Sequence, residues 1–108
     1  MDFDTYQACA AETAIYDEKY RLMYPAMGLA GEVGEVLNKI KKIYRDDDGH
    51  ITIEQREDLA KEIGDVFWYL AALCTDLDIS MREAAKGNVH KLLDRKERGV
   101  IGGSGDNR

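Results

Sequence analysis

Apolar residues in this chain recur three and four positions apart, no run of β-branched residues is longer than Ile51-Thr52-Ile53, and the one proline is Pro25. Helix is the expectation throughout. Asp2 or Asp4 caps a first helix running to about Glu18. Its period is carried by Phe3, Tyr6, Ala10, Thr13 and Ala14, with Tyr16 beside them, and its aromatics read as core. After a connection from Lys19 to Tyr24, Pro25 suits the first turn of a second helix, where its missing N–H costs nothing. That helix should reach about Arg45, with Ala26, Leu29, Ala30, Val33, Val36, Leu37, Ile40 and Tyr44 as a wide apolar stripe. Thr52-Ile53-Glu54-Gln55 reads as a capping box opening a third helix to Asp76 or Leu77. Its stripe is Leu59, Ile63, Val66, Phe67, Leu70, Leu73, Cys74 and Leu77. Ser80-Met81-Arg82-Glu83 opens a fourth, from Met81 to near Gly99. The pattern predicts an all-α four-helix bundle, a single domain over residues 1–100 followed by a Gly-rich tail, 101–108, that looks disordered by composition. A tail folding over a bound ligand is the lesser alternative.

The middle helices share a sentence. Leu29-Ala30-Gly31-Glu32-Val33-Gly34-Glu35-Val36 returns as Leu59-Ala60-Lys61-Glu62-Ile63-Gly64-Asp65-Val66. At about 100° per residue, Glu32 and Glu35 lie on the flank of one apolar stripe, and Glu62 and Asp65 on the matching flank of the other. Two such helices can bring four carboxylates together. Charges about 4 Å apart repel by roughly 4 kcal/mol at an effective dielectric near 20, so such a cluster opposes folding unless a cation sits in it. Oxygen ligands without His or Cys point to Mg²⁺, with Mn²⁺ as a substitute. Solvated surface acids are the plain alternative, but these have no reason to recur in one eight-residue frame.

Other features refine the picture. Asn88, Lys91 and Arg95 interrupt the fourth helix's stripe of Met81, Ala84, Ala85 and Leu92, and polar groups aimed along a buried direction need partners. Gly34 and Gly64 hold equivalent places in the repeat, which suggests close approach of a neighbouring helix. Lys39, one turn past Glu35, is expected to pair with it as an i, i+4 contact, or else to reach a ligand. Asp58, Glu62, Asp65 and Tyr69 share one stripe. Asp46-Asp47-Asp48-Gly49 lacks the ligand spacing of a calcium loop and reads as a solvated turn, with His50 exposed beside it. Trp68 points away from the apolar stripe, free for an interface or for base stacking, with the interface favoured.

Glu32-x-x-Glu35, a gap of 26 residues, then Glu62-x-x-Asp65, followed by Asn88-x-x-Lys91-Leu92, resembles the signature of the MazG-like nucleotide pyrophosphohydrolases, all-α enzymes related to the all-α dUTPases. The likeness runs from about Leu22 onward. It departs at Gly31, where that family often carries an additional Glu. The resemblance implies that Glu32, Glu35, Glu62 and Asp65 bind Mg²⁺ and serve catalysis. It also implies that the enzyme splits a nucleoside triphosphate into monophosphate and pyrophosphate, a nucleotide-pool house-cleaning role. Lys91 would then neutralise phosphate charge, Asn88 would hydrogen-bond phosphate or metal-bound water, and Arg95 would reach the outer phosphates.

Composition narrows the partners. A net charge of −6 argues against nonspecific nucleic-acid binding, though not against a nucleotide whose charge a metal and a few cations offset. No apolar run approaches the roughly 20 residues of a membrane span, and no signal peptide opens the chain. Cys9 and Cys74 read as reduced core thiols of a cytoplasmic protein. Apolar residues left off every stripe, namely Trp68, Ala71, Ala72 and Leu93, suggest a homodimer or a dimer of dimers. Two rival classes exist. A di-iron carboxylate bundle needs Glu-x-x-His ligands, and neither acid pair has its His. A non-catalytic helical interaction protein with a vestigial metal site would give no reason for four intact acids plus Asn88 and Lys91.

Overall fold

The computed structural model describes all residues, Met1–Arg108, as four α-helices and no strands: α1 (Phe3–Thr13), α2 (Met23–Asp47), α3 (Ile53–Asp76) and α4 (Met81–Glu97), with one 3₁₀ turn at Glu18–Tyr20. The all-α, four-helix class expected from the sequence is the one observed, and no helix is long and apolar enough to cross a membrane. Side chains set the starts. The Asp2 carboxylate accepts from the Thr5 N–H, the Thr52 hydroxyl and the Gln55 side chain close a reciprocal capping box, and the Ser80 hydroxyl accepts from the Glu83 N–H.

α1 ends five residues earlier than expected. The Thr13 hydroxyl donates back to the Ala10 carbonyl and accepts from Trp68 Nε1 at 2.7 Å, and Asp17 then caps the separate 3₁₀ turn. The connection is pinned to the end of α3. The Tyr16 hydroxyl and the Leu22 N–H both donate to Asp76 Oδ2, at 2.7 and 3.0 Å, and Arg21 donates to the Asp76 carbonyl. That anchorage holds Leu22 in the left-handed region, φ 66°, which a branched side chain adopts only when its surroundings demand it.

α2 and α3 run antiparallel, and the seam between them has a heptad rhythm. Among the half-buried and buried residues of α2, Leu29, Glu32, Val36, Lys39 and Ile43 carry that rhythm. Facing them are Gln55, Leu59, Glu62, Val66, Tyr69 and Leu73 on α3. Steps of three and four keep a narrow stripe facing its partner. This corrects the expected burial on α2. Only one edge of the wide apolar stripe, Leu29 and Val36, turns to α3: Val33, Leu37, Ile40 and Tyr44 stay 40%, 62%, 37% and 69% exposed. The acid flank faces inward instead.

The small core lies at the far end of α3, where Ala10, Ala71 and Met81 are buried against Tyr6, Trp68, Leu70 and Cys74. Trp68 is therefore not spare. Gln7 ties α1 to the α3–α4 turn, donating to the Ile79 carbonyl (2.9 Å) and Thr75 (3.2 Å) and accepting from the Met81 N–H (2.8 Å). α4 thus rests on α1 and α3, with no polar contact to the acids of α2 and α3. Cys9 is exposed and Cys74 half-buried, so only the latter fits the expected core thiol.

Gly34 and Gly64 do not mark a close approach within the chain, because a Cβ at either would meet open space. Gly28 does: a Cβ there would run into the Tyr69 ring. Gly28→Ala should therefore cost about 1–3 kcal/mol in chemical denaturation, the usual range for overpacking. Repeating the substitution in a Tyr69→Ala background should recover most of that loss, and equal cost in both backgrounds would show that the ring is not the obstacle.

Candidate functional site

Heptad placement puts ionisable side chains where a helix pair ordinarily buries apolar ones. From α2 come Glu32 and, two turns on, Lys39; from α3 come Asp58, Glu62 and Asp65 on one stripe. Carboxylate oxygens of Glu32, Glu62 and Asp65 all lie within 4.8 Å of one another, Glu32 and Glu62 half-buried and Asp65 exposed. Glu35 is exposed and outside that group. Lys39 does not pair with Glu35. It crosses the seam and donates to Asp58 at 2.6 Å and Glu62 at 2.9 Å. The crossing follows from the rotation of α2: seam positions 32, 36 and 39 look at α3, and Glu35 does not.

The two facing glutamates are driven apart in acidity. Glu32 is held above the usual carboxylate range, first by a hydrogen bond shared with Glu62, then by burial and the charges of Asp65, Glu62 and Glu35. Glu62 is held below it, first by the Lys39 ammonium and then by Glu32. Glu32 Oε2 is buried and has no donor in the protein. One lysine against Glu32, Asp58, Glu62 and Asp65 leaves the seam negative. An orphaned carboxylate oxygen beside two more, with no sulfur or imidazole, is a donor set that fits a hard divalent cation.

One turn before Glu32 on α2 and one turn after Asp65 on α3, the acid cluster meets an aromatic cleft of about 760 Å³. Its walls are Tyr16, Tyr20, Met23, Tyr24, Met27, Trp68 and Tyr69, with Gly28 at the junction. Tyr16 and Tyr24 stack with centroids 4.6 Å apart, and Trp68 meets Tyr69 edge-on at 5.1 Å. Burial and then the Asp76 hydrogen bond push the Tyr16 hydroxyl up to about 12, so it stays a donor at any working pH. Burial likewise raises Tyr69, helped by Tyr24 and by the charge of Glu32.

The three α4 residues sit elsewhere. Asn88 is exposed, Lys91 half-buried and Arg95 buried. Lys91 and Arg95 both donate to the carboxylate of Asp106, at 3.0 and 3.2 Å, so residues 101–108 fold back over α4 instead of standing away from it. None of the three hydrogen-bonds to the acids of α2 and α3 in the same chain. Sequence reasoning also missed the roles of Lys39 and Asp58, Gly28 and Asp106. The first two were legible in the three-four spacing that puts Lys39 in register with Glu32; the last was hidden in a composition that resembles disorder.

These features belong to a class. The profile of the MazG nucleotide pyrophosphohydrolase domain matches residues 25–100, which span α2, α3 and α4, and the chain belongs to that family. Hydrolysis of a nucleotide's phosphoric anhydride, with a metal, is the activity the family implies. The chain is 52% identical to the gene 37 protein of Mycobacterium phage L5 over the full length of both. No solved structure gives a significant match.

The opposed shifts fix a pH signature. A carboxyl raised on folding, as Glu32 is, stabilises the fold below its unfolded value and loses that stability as pH rises through the folded one. Glu32→Gln should therefore raise the melting temperature of metal-free protein at pH 7, with the gain shrinking as pH falls toward about 4.5. Lys39→Met should do the reverse at pH 7, since it strips Glu62 of its counter-charge. A Glu32→Gln protein that melts lower than wild type at neutral pH would contradict the crowding of the seam.

Proposed function

We propose that this chain is a Mg²⁺-dependent nucleotide pyrophosphohydrolase that cleaves a nucleoside triphosphate to the monophosphate and pyrophosphate. The observation that carries the reading is the buried, donorless Glu32 oxygen facing Glu62 and Asp65 across the α2–α3 seam, in a chain of this family. Glu32, Glu62 and Asp65 hold the cation, Mn²⁺ serving as a substitute, and Glu35, exposed one turn along α2, joins them by a rotamer change. When bound, a divalent cation supplies charge neutralisation at the phosphate oxygens and a more acidic water. One of the four acids takes the water's proton, its pKa tuned by the neighbours that already separate Glu32 from Glu62. Lys39 holds Glu62 and Asp58 in place. Lys91 and Arg95, presented by α4 of a second copy because a chain's own α4 makes no polar contact with its acids, neutralise outer phosphates, and Asn88 hydrogen-bonds to them; that the two cations already share one carboxylate supports this assignment.

The aromatic cleft takes the nucleobase. It adjoins the acids on the same two helices, and its walls offer faces for stacking while few polar groups point inward. Stacking of this kind tolerates any base, which suits a role in clearing nucleotide pools.

The active species is a homodimer, or a pair of them, in the cytoplasm. A compact chain of 12.2 kDa would expose roughly 6,100 Å², yet this one exposes 7954 Å². Its radius of gyration is 16.8 Å against about 13 Å for a compact chain of this length. The excess, about 1,900 Å², is ample for one side of a stable interface. Val33, Leu37, Ile40 and Tyr44 on α2, with Ile63 and Phe67 on α3, supply the apolar surface.

The purified chain with Mg²⁺ and a panel of nucleoside triphosphates should release pyrophosphate and not orthophosphate; orthophosphate with a diphosphate product would refute the bond assignment. Glu62→Gln should abolish turnover with the helical circular dichroism retained. Lys91→Ala should leave metal affinity unchanged and lower kcat/KM by about 10- to 1000-fold, roughly 1.4–4 kcal/mol of transition-state stabilisation. Leu37→Asp should yield a monomer in sedimentation, and an unchanged assembly would place the interface elsewhere.

A further inference from the structure

Residues 98–108 make a built contact with α4. Two glycines in left-handed backbone, Gly103 (φ 87°) and Gly105 (φ 88°), turn the chain back on itself. The fold is closed by Arg98, which donates to the Arg108 carbonyl at 2.6 Å, and by Arg108, which donates to the Gly105 carbonyl at 2.5 Å. The turn delivers Asp106 onto α4, where its carboxylate accepts from Lys91 and Arg95 and its carbonyl accepts from Arg95 at 2.7 Å. Arg95 is only 4% exposed under this cover, although its own helix is otherwise largely open to solvent. A guanidinium so buried has little water to fall back on, and the tail supplies its anion.

We propose that Asp106 is an internal phosphate mimic: the tail occupies Lys91 and Arg95 in the resting protein and must be displaced when a polyphosphate chain takes its place. The inference rests on the assignment of those two cations to substrate phosphates. Its physical basis is competition between one carboxylate and several phosphate oxygens for the same N–H donors. The tether is short, eleven residues from Arg95 to Asp106, so the carboxylate's effective concentration is high although a single exposed ion pair is weak. Asp106 is itself 79% exposed and Lys91 38%, so an incoming anion meets Lys91 first and reaches the buried Arg95 only as the tail gives way. A latch of this kind lowers apparent affinity by the fraction of time the cations are free, and leaves the chemical step untouched. The gain is selectivity for ligands with enough negative charge to win, a triphosphate over a monophosphate.

The test uses the full chain and Asp106→Ala, with inorganic tripolyphosphate titrated calorimetrically in the absence of metal, and nucleoside triphosphate turnover measured with Mg²⁺. Asp106→Ala should bind tripolyphosphate about three- to tenfold more tightly and lower KM by a similar factor, with kcat unchanged. Asp106→Glu, which keeps the charge, should restore most of the wild-type behaviour. In a Lys91→Ala background the Asp106→Ala effect should shrink, since the two side chains compete for one partner. If Asp106→Ala left tripolyphosphate affinity unchanged while Lys91→Ala weakened it, the latch would be wrong and the phosphate assignment would stand. If neither substitution changed it, the phosphate assignment would fall and the latch with it. Weaker binding by Asp106→Ala would make the tail a scaffold for Arg95 and overturn the proposal.

Discussion

Every functional feature of this molecule depends on one costly choice, the placement of charged side chains in the seam between α2 and α3. A seam of Leu29, Val36 and Ile43 against Leu59, Val66 and Leu73 would hold an antiparallel pair together without polar help. Glu32, Lys39 and Glu62 interrupt it at positions where a helix pair wants apolar contact. Lys39 offsets part of the cost by bridging Asp58 and Glu62, at 2.6 and 2.9 Å. It does not reach Glu32. The remaining imbalance appears as a carboxyl pushed up in pKa and an oxygen without a donor. A chain that only needed to fold would gain by replacing these groups with hydrophobic ones of similar size.

The placement of charge has consequences for the rest of the fold. Because the acid flank of α2 turns toward α3, most of the broad apolar stripe of α2 is left facing outward, and only seven residues of the whole chain are buried. Stability and site formation thus draw on different faces of the same helix. The buried centre shifts to the junction of α1, α3 and α4, where Gln7 and Asp76 gather the backbone ends. That junction in turn forms the aromatic cleft, since α1 stops at Thr13 to meet Trp68 and leaves Tyr16 to stack on Tyr24.

Much of this was legible in the sequence. The four helices, the Thr52 capping box, the ends of α3 and the convergence of three of the four expected acids, Glu32, Glu62 and Asp65, follow from spacing and cap chemistry. What failed did so for identifiable reasons. A 3.6-residue reading of α2 rewarded the widest apolar stripe, whereas a paired helix presents a narrower 3.5-residue seam, on which Lys39 lies in register with Glu32 and so meets Asp58 and Glu62 across it. Gly34 and Gly64 looked alike in the repeat, but only contact partners distinguish a packing glycine, and the one that needs to be glycine is Gly28. The Gly-rich tail has the composition of a disordered segment, and no local rule announces that Asp106 would find two cations eleven and fifteen residues behind it.

The central claim is that the seam's carboxylates exist to hold a cation between two helices. A crystal of the metal-free protein soaked in Mn²⁺, measured at the manganese absorption edge, tests it directly. The account predicts an anomalous peak within coordination distance of oxygens from Glu32, Glu62 and Asp65, with ligands drawn from both α2 and α3. Absence of a peak there, or a peak held only by the exposed run Asp46–Asp48, would contradict it.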